Sequence, residues 1–143
     1  MKQPEKQHST NYFNTFILVA ADCKATAGQT PVLNKGQKTV AYRQFELLAP
    51  NPYQFTSDEV LFQVYADKND LTESEYTEAR QAFFAKGQPC FRTSPLAKQL
   101  GWGIHCDKDG KIALYGIETA QYKTLHDDPT IKKVKAMRNA KPQ

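Results

Sequence analysis

The two residues with the clearest chemical potential are a cysteine and a histidine, Cys90 and His105. A thiolate nucleophile needs a base or a positive charge that lowers its pKa below the free value of about 8.5. Arg92 and His105 would meet that need if the fold brings them to Cys90. One hypothesis is therefore an enzyme with Cys90 as nucleophile and His105 as base. The alternative is a core cysteine, because buried cysteines are common and the local signatures of cysteine hydrolases are absent.

A possible anion site follows Cys90 directly. Phe91, Arg92, Thr93 and Ser94 precede Pro95, and a serine followed by a proline is typical of a helix start. Helix amino termini attract anions, so we expect an anion near Ser94, held by Arg92. The alternative is that Arg92 pairs with a helix carboxylate and that Ser94 only caps the helix.

The single tryptophan, Trp102, lies between two glycines. Glycines on either side allow a ligand or a backbone to approach the indole closely. The alternative is that Trp102 is simply a large core anchor. If one cleft collects the candidates of this region, its ligand-binding residues are Phe91, Arg92, Ser94, Trp102, His105 and Tyr115.

Metal binding is not expected. His105 and Cys106 are neighbours on a predicted strand, so their side chains point to opposite faces and do not converge on one zinc ion. The segment from Asp107 to Gly110 resembles part of a calcium loop, but Gly116 stands where the bidentate glutamate belongs. We therefore predict neither a metal nor a cofactor.

The positive charge of the chain is local. The net charge is +4, yet residues 130–143 carry five cations and no acid, and the rest holds 14 basic and 15 acidic side chains. We expect a flexible segment 1–10, one domain over residues 11–129 and a basic tail over 130–143. The tail offers Lys132, Lys133, Lys135 and Arg138 as nucleic-acid contacts. The alternative is a solvated terminus that aids solubility.

Helix starts are the best structural signals. The sequences Thr56-Ser-Asp-Glu59 and Thr72-Glu-Ser-Glu75 are capping boxes, which pair amide donors that a helix start leaves unsatisfied. Thr39 is predicted to cap a further helix over Val40–Leu48. The loop of residues 22–38 is long for a compact domain and is therefore either mobile or functional.

Strand signals complete an α+β prediction. A buried strand is expected over Tyr12–Val19, and a hairpin over Trp102–Cys106 and Lys111–Ile117. We predict a single domain with a small, mainly antiparallel sheet and three or four helices on one face. Residues 119–125 favour a short helix, whereas residues 131–138 fit either a helix or an edge strand.

Composition indicates an ordinary globular protein, with 40% hydrophobic and 24% charged residues. No apolar run approaches the roughly 20 residues that span a bilayer, and no secretion signal opens the chain. The odd number of cysteines, three, fits reduced cytosolic thiols. We expect a cytoplasmic protein with no membrane partner.

Several segments carry a resemblance to a known family. They are Asn11-Tyr-Phe-Asn-Thr-Phe-Ile17, Asn51-Pro-Tyr53, Thr56-Ser-Asp-Glu-Val-Leu-Phe62, Lys86-Gly-Gln-Pro-Cys-Phe-Arg-Thr-Ser-Pro-Leu96 and Gly101-Trp-Gly-Ile-His105. The chain resembles an uncharacterised family of short bacterial proteins, a domain of unknown function, from about residue 8 to residue 138. The resemblance implies a free-standing bacterial domain and brings no activity and no catalytic residue.

Three functions stay open at this point, in the following order. The first is a non-catalytic binding domain for an anionic small molecule or peptide. The second is the enzyme that uses Cys90 and His105. The third is a nucleic-acid-associated protein that acts through its basic tail.

Overall fold

A four-stranded mixed sheet forms the centre of the computed structural model, which describes residues 6–141. The strands are β1 (Thr15–Leu18), β2 (Trp102–Cys106), β3 (Ile112–Gly116) and β4 (Lys132–Lys135). The helices are α1 (Val40–Leu48), α2 (Ser57–Lys68), α3 (Tyr76–Phe84), α4 (Pro95–Lys98) and α5 (Ala120–Asp127). Short 3-10 turns over Glu73–Glu75 and Phe91–Thr93 precede α3 and α4.

The strand order is β3-β2-β1-β4. The predicted hairpin joins β2 and β3, β1 pairs antiparallel with β2, and β4 pairs parallel with β1. Phe16 and Ile17 of β1 are completely buried, as the run of aromatic and β-branched residues predicts. The strand is shorter than expected because Asn14 adopts a left-handed conformation with φ 47° just before it. The sheet is mostly antiparallel, and the α+β prediction is confirmed.

Helices cover both faces of the sheet. Leu48 of α1, Val60 of α2 and Ala97 of α4 pack on the face that carries Ile17 and Ile104. The remaining helix of this layer, α3, packs against α2. On the opposite face α5 places Tyr122 against Phe16, with ring centroids 5.0 Å apart.

Local capping fixes where the helices begin. Thr56 Oγ1 accepts a hydrogen bond from the Glu59 amide at 3.2 Å, and the Thr56 amide donates to the Glu59 carboxylate at 3.1 Å. The Thr72 amide donates to Glu75 at 3.0 Å in the same way. Both predicted capping boxes are therefore present. No helix within residues 6–141 has both the length and the apolar character needed to cross a bilayer.

The amino-terminal segment differs from the flexible stretch expected over residues 1–10. Residues 1–5 lie outside the described part. The His8 amide donates to the Phe84 carbonyl at 2.8 Å, and the Thr10 amide donates to the Asp58 carboxylate at 2.7 Å. Thr10 is buried, so this segment belongs to the packed domain from His8 onward.

The carboxy-terminal segment also differs from the tail expected over residues 130–143. Residues Lys132–Lys135 form β4, and Ala136 is 3% exposed. The Asn139 and Ala140 amides both donate to the carboxylate of Asp22. The domain therefore extends beyond residue 129, and the edge-strand alternative for this region is the correct one.

Candidate functional site

The structure does not bring Cys90 and His105 together. Cys90 Sγ lies 3.2 Å from the Tyr12 hydroxyl, whereas His105 Nδ1 lies 2.8 Å from the Tyr53 hydroxyl. Cys90 belongs to the layer of α1, α2 and α4. His105 points to the face of the sheet that α5 covers, because it alternates with Ile104 and Cys106 along β2. The predicted pair of nucleophile and base is therefore not assembled.

Tyr12 does not replace His105 as the base for Cys90. Burial and the hydrogen bond with Cys90 raise the pKa of Tyr12 to about 12. The phenol consequently keeps its proton at neutral pH and cannot accept one from the thiol.

His105 and Tyr115 do meet, through a residue that sequence reasoning missed. The Tyr53 hydroxyl lies 2.8 Å from His105 Nδ1 and 2.8 Å from the Tyr115 hydroxyl. Burial lowers the pKa of His105, although Asp107 and Asp128 oppose that shift, and burial raises the pKa of Tyr53. The three side chains form a hydrogen-bonded network, which we call the Tyr53 network. Its only sequence signal was the Asn-Pro-Tyr motif of the resemblance.

Trp102 and Phe91 both pack against other parts of the protein. Trp102 Nε1 donates to the Gln29 carbonyl at 2.8 Å, and its ring lies 5.4 Å from that of Phe45. A Cβ atom at Gly28 would come within 2.8 Å of the indole, so the loop of residues 22–38 packs closely onto it. Phe91 is 1% exposed in the core. The core-anchor alternative for Trp102 is therefore the one that the geometry matches, and the predicted single cleft does not form.

Ser94 acts as a cap. Its hydroxyl accepts a hydrogen bond from the Leu96 amide at 3.2 Å and donates to the buried Gln44 side chain at 2.7 Å. Ser94 is 3% exposed and its hydrogen-bonding capacity is used inside the protein. The geometry leaves the anion predicted at this helix start without support.

Arg92 lies at the outer edge of β4 instead of at a helix carboxylate. Its Nε donates to the Lys135 carbonyl at 2.7 Å, and its own carbonyl accepts from the Met137 amide at 2.8 Å. The structure thus brings Arg92 to the cations that the sequence analysis treated separately. These are Lys132, Lys133, Lys135 and Arg138.

The edge position gives these cations a structural role. The Lys132 and Ala136 amides donate to carbonyls on the β1 side, so the backbone groups of Lys133 and Lys135 point outward. Exposed strand edges invite pairing with other chains, and lysines on the edge discourage it. Arg92 covers the Lys135 carbonyl in addition. Protection of the edge is thus one role that the position of these lysines fits.

The remaining candidate site is a surface groove that contains Cys90, which we call the Cys90 groove. It has a volume of about 310 Å³ and lies between α1, α2 and residues 88–95. Lys68 is the charged residue that lines it within the described part of the chain. The apolar lining consists of Val40, Leu61, Val64, Tyr65, Phe83, Pro89, Cys90 and Pro95.

A second hollow adjoins the first. It has a volume of about 410 Å³, reaches Val32, and shares Val40 and Pro95 with the Cys90 groove. We call it the Val32 hollow. The two hollows adjoin at these shared residues, and we call them together the trough.

Exposed apolar side chains concentrate at this trough. Six large hydrophobic side chains are exposed within residues 6–141. One, Phe13, lies elsewhere, on the turn side of the hairpin beside Gly110. Three line the trough, Val32, Val40 and Tyr65, and Leu33 directly follows Val32 in the sequence. The amide of the remaining one, Met137, donates to the Arg92 carbonyl, and neither of these two residues lines the trough.

The fold is an α+β domain whose helical layer carries an apolar surface trough. Within residues 6–141, no three metal-ligating side chains lie close enough to hold an ion. The chain belongs to a family described as a family of unknown function (DUF6157), whose model matches residues 7–142. The predicted membership in a family of unknown function is thereby confirmed. No curated protein and no solved structure is significantly similar to the chain.

Proposed function

We propose that this protein is a non-catalytic binding domain that takes an acidic peptide segment with apolar side chains into the Cys90 groove. The observation that carries the proposal is the concentration of exposed apolar side chains along the trough. Val32 is 77% exposed and Val40 is 42% exposed. Burial of apolar surface contributes about 25 cal/mol per Å², so a partner that covers these side chains gains affinity.

The shape of the trough suits a peptide. Ligand hollows typically hold roughly 300–1,000 Å³, and the two hollows here hold about 310 and 410 Å³. They adjoin at Val40 and Pro95, so successive apolar side chains of one segment can enter both. Helix-in-groove and extended-peptide recognition both place successive apolar side chains of the ligand in neighbouring hollows.

The charge around the trough favours an acidic partner. Lys68 lines the Cys90 groove, and Arg92 belongs to the segment that forms one wall. Lys35 is exposed at the tip of the short hairpin that follows Val32. Complementary charge raises association rates and selects against basic partners.

A display experiment tests the proposal. A random dodecapeptide library panned against the protein should return sequences rich in leucine or phenylalanine together with aspartate or glutamate. Calorimetry of a selected peptide should show affinity that falls at least about tenfold in the double variant Val40→Ser with Tyr65→Ser, because each serine removes apolar contact area.

Phe13→Ser is the matched control, since Phe13 is 58% exposed and lies away from the trough. A peptide whose affinity drops equally with Phe13→Ser contradicts the proposal. Salt-sensitive retention of single-stranded DNA that disappears with Lys132→Gln and Lys135→Gln would replace it with the nucleic-acid hypothesis.

The cellular setting is part of the same proposal. Cys23, Cys90 and Cys106 are free thiols, which supports a reducing cytoplasm. A bacterial origin is supported by the resemblance of the sequence segments given above.

A further inference from the structure

A third hollow, with different chemistry, lies between α2 and α3. It has a volume of about 460 Å³ and includes Arg80, so we call it the Arg80 hollow. Apolar side chains form its floor, and polar side chains from the two helices stand around it. The floor consists of Leu47, Phe55, Val60 and Phe62.

The Arg80 guanidinium is positioned by aromatic rings. Its Cζ lies 4.9 Å from the Phe84 ring centroid and 5.9 Å from that of Phe62. The ion pairs within residues 6–141 are Lys38–Glu46 and His126–Asp127, so Arg80 pairs with no carboxylate there. Stacking on rings engages the face of a guanidinium and leaves its N–H edges for a planar carboxylate.

Two carboxylates from α2, those of Glu59 and Asp67, line the same hollow. Glu59, Gln63 and Asp67 line it at intervals of four residues, which places them on one stripe of the helix. Glu59 Oε1 accepts from the Thr56 amide, so this carboxylate is held at the first turn of α2, roughly two turns from Asp67. Asp67 Oδ1 accepts from the Gln63 side chain at 2.8 Å, and its second oxygen is available for a further donor.

We propose that the Arg80 hollow binds a small apolar zwitterion, a free amino acid or a dipeptide. Its carboxylate pairs with Arg80, its ammonium group pairs with Asp67, and its apolar side chain covers the floor. In this hollow the Asp67 carboxylate repels a simple anion, and the Arg80 guanidinium repels a simple cation. A ligand that carries both charges satisfies both groups.

This site is independent of the peptide site. Leu61, Val64, Tyr65 and Lys68 of α2 face the Cys90 groove, whereas Glu59, Gln63 and Asp67 face the Arg80 hollow. At 3.6 residues per turn these two sets lie on opposite sides of the helix. Loss of binding at one site therefore leaves the other testable.

Titrations monitored by amide NMR spectra test the proposal with four probes. L-leucine and leucyl-leucine carry both charges, N-acetyl-leucine lacks the ammonium group, and leucinamide lacks the carboxylate. We expect saturable shifts around the hollow with at least one zwitterion, and the tighter of the two shows whether the ligand is an amino acid or a dipeptide. N-acetyl-leucine and leucinamide should bind at least about tenfold more weakly, since each loses a charged hydrogen bond.

Variants complete the test. Arg80→Gln and Asp67→Asn should each weaken the zwitterion at least about tenfold, and Arg43→Gln, an arginine outside the hollow, should leave its affinity unchanged. If Arg80→Gln fails to fold, Asp67→Asn decides, because Asp67 is an exposed residue whose replacement keeps the shape. Absence of saturable shifts with both zwitterions overturns the proposal, and so does equal affinity for N-acetyl-leucine.

Discussion

Cys90 and His105 each form a hydrogen bond with a tyrosine, Tyr12 in one case and Tyr53 in the other. These bonds hold the two side chains in separate parts of the domain. Tyr53 has φ 58°, a left-handed conformation that costs a non-glycine residue roughly 1–3 kcal/mol. The two bonds of its hydroxyl hold that conformation, and the Tyr53 network thereby ties the end of α1 to the hairpin.

At this scale the protonation of His105 predicts a pH dependence of stability. Burial lowers the pKa of His105 in the folded state below the unfolded value of about 6.5. Between the two values the unfolded chain binds more protons, so the free energy of unfolding decreases as the pH falls through about 6.5. Urea denaturation at pH 7.5 and 5.5 should show a smaller decrease for His105→Gln than for the unaltered protein. The other histidines are present in both proteins, so their contributions to the decrease cancel. Equal decreases in the two proteins contradict the prediction.

At the scale of the elements, packing across β2 is asymmetric. Ile104 and Cys106 point into the larger core, whereas Gly103 faces α5, where Phe16 and Tyr122 leave no space for a side chain. The glycine lets the aromatic rings lie directly on the strand. The short helix α5 can therefore dock closely with a single buried tyrosine.

Gly103→Ala should consequently destabilise the protein strongly. The added Cβ would lie 2.5 Å from Phe16 Cζ and 2.6 Å from Tyr122 Cε2. We expect a loss of about 1–3 kcal/mol from overpacking, measurable as a lower midpoint of thermal unfolding. Gly87→Ala is the control, since no atom lies within 4 Å of a Cβ built there. If the two variants have the same midpoint of thermal unfolding, that result contradicts the close packing of α5 on β2.

On the scale of the whole molecule, β4 closes the sheet at a long distance along the chain. It pairs with β1, the first strand, and Ala136 contributes to the main core next to Ile17. The Asp22 carboxylate receives the Asn139 amide, and this hydrogen bond lowers the pKa of Asp22. The segment from β1 to Asp22 and the segment from β4 to Ala140 therefore stabilise each other.

Truncation after Pro129 should abolish cooperative folding for this reason. The variant loses β4 and the buried Ala136, and β1 becomes an exposed edge. Circular dichroism during urea titration should show a broad transition or none, whereas deletion of residues 141–143 should leave the transition in place. A truncated protein with unchanged cooperativity would restore the interpretation of residues 130–143 as a tail.

Elements whose signals are local could be predicted well. The helix over Val40–Leu48 has the bounds that the Thr39 cap indicates, and both capping boxes are present. Capping and turn formation depend on residues a few positions apart, so the sequence contains the necessary information. The candidate site was predicted poorly, since Cys90, His105 and Trp102 lie in three different environments.

The order of amino acids alone determined the α+β class, the hairpin, the helix starts and the alternation that places His105 and Cys106 on opposite faces. Tertiary structure decided which residues meet: it joined Tyr53 to His105, Arg92 to β4, and Val32, Val40 and Tyr65 along one trough. The physical reason is the separation along the sequence over which each interaction acts. Periodicity and caps act within a few residues, whereas β4 selects its partner through burial of surface contributed by distant segments.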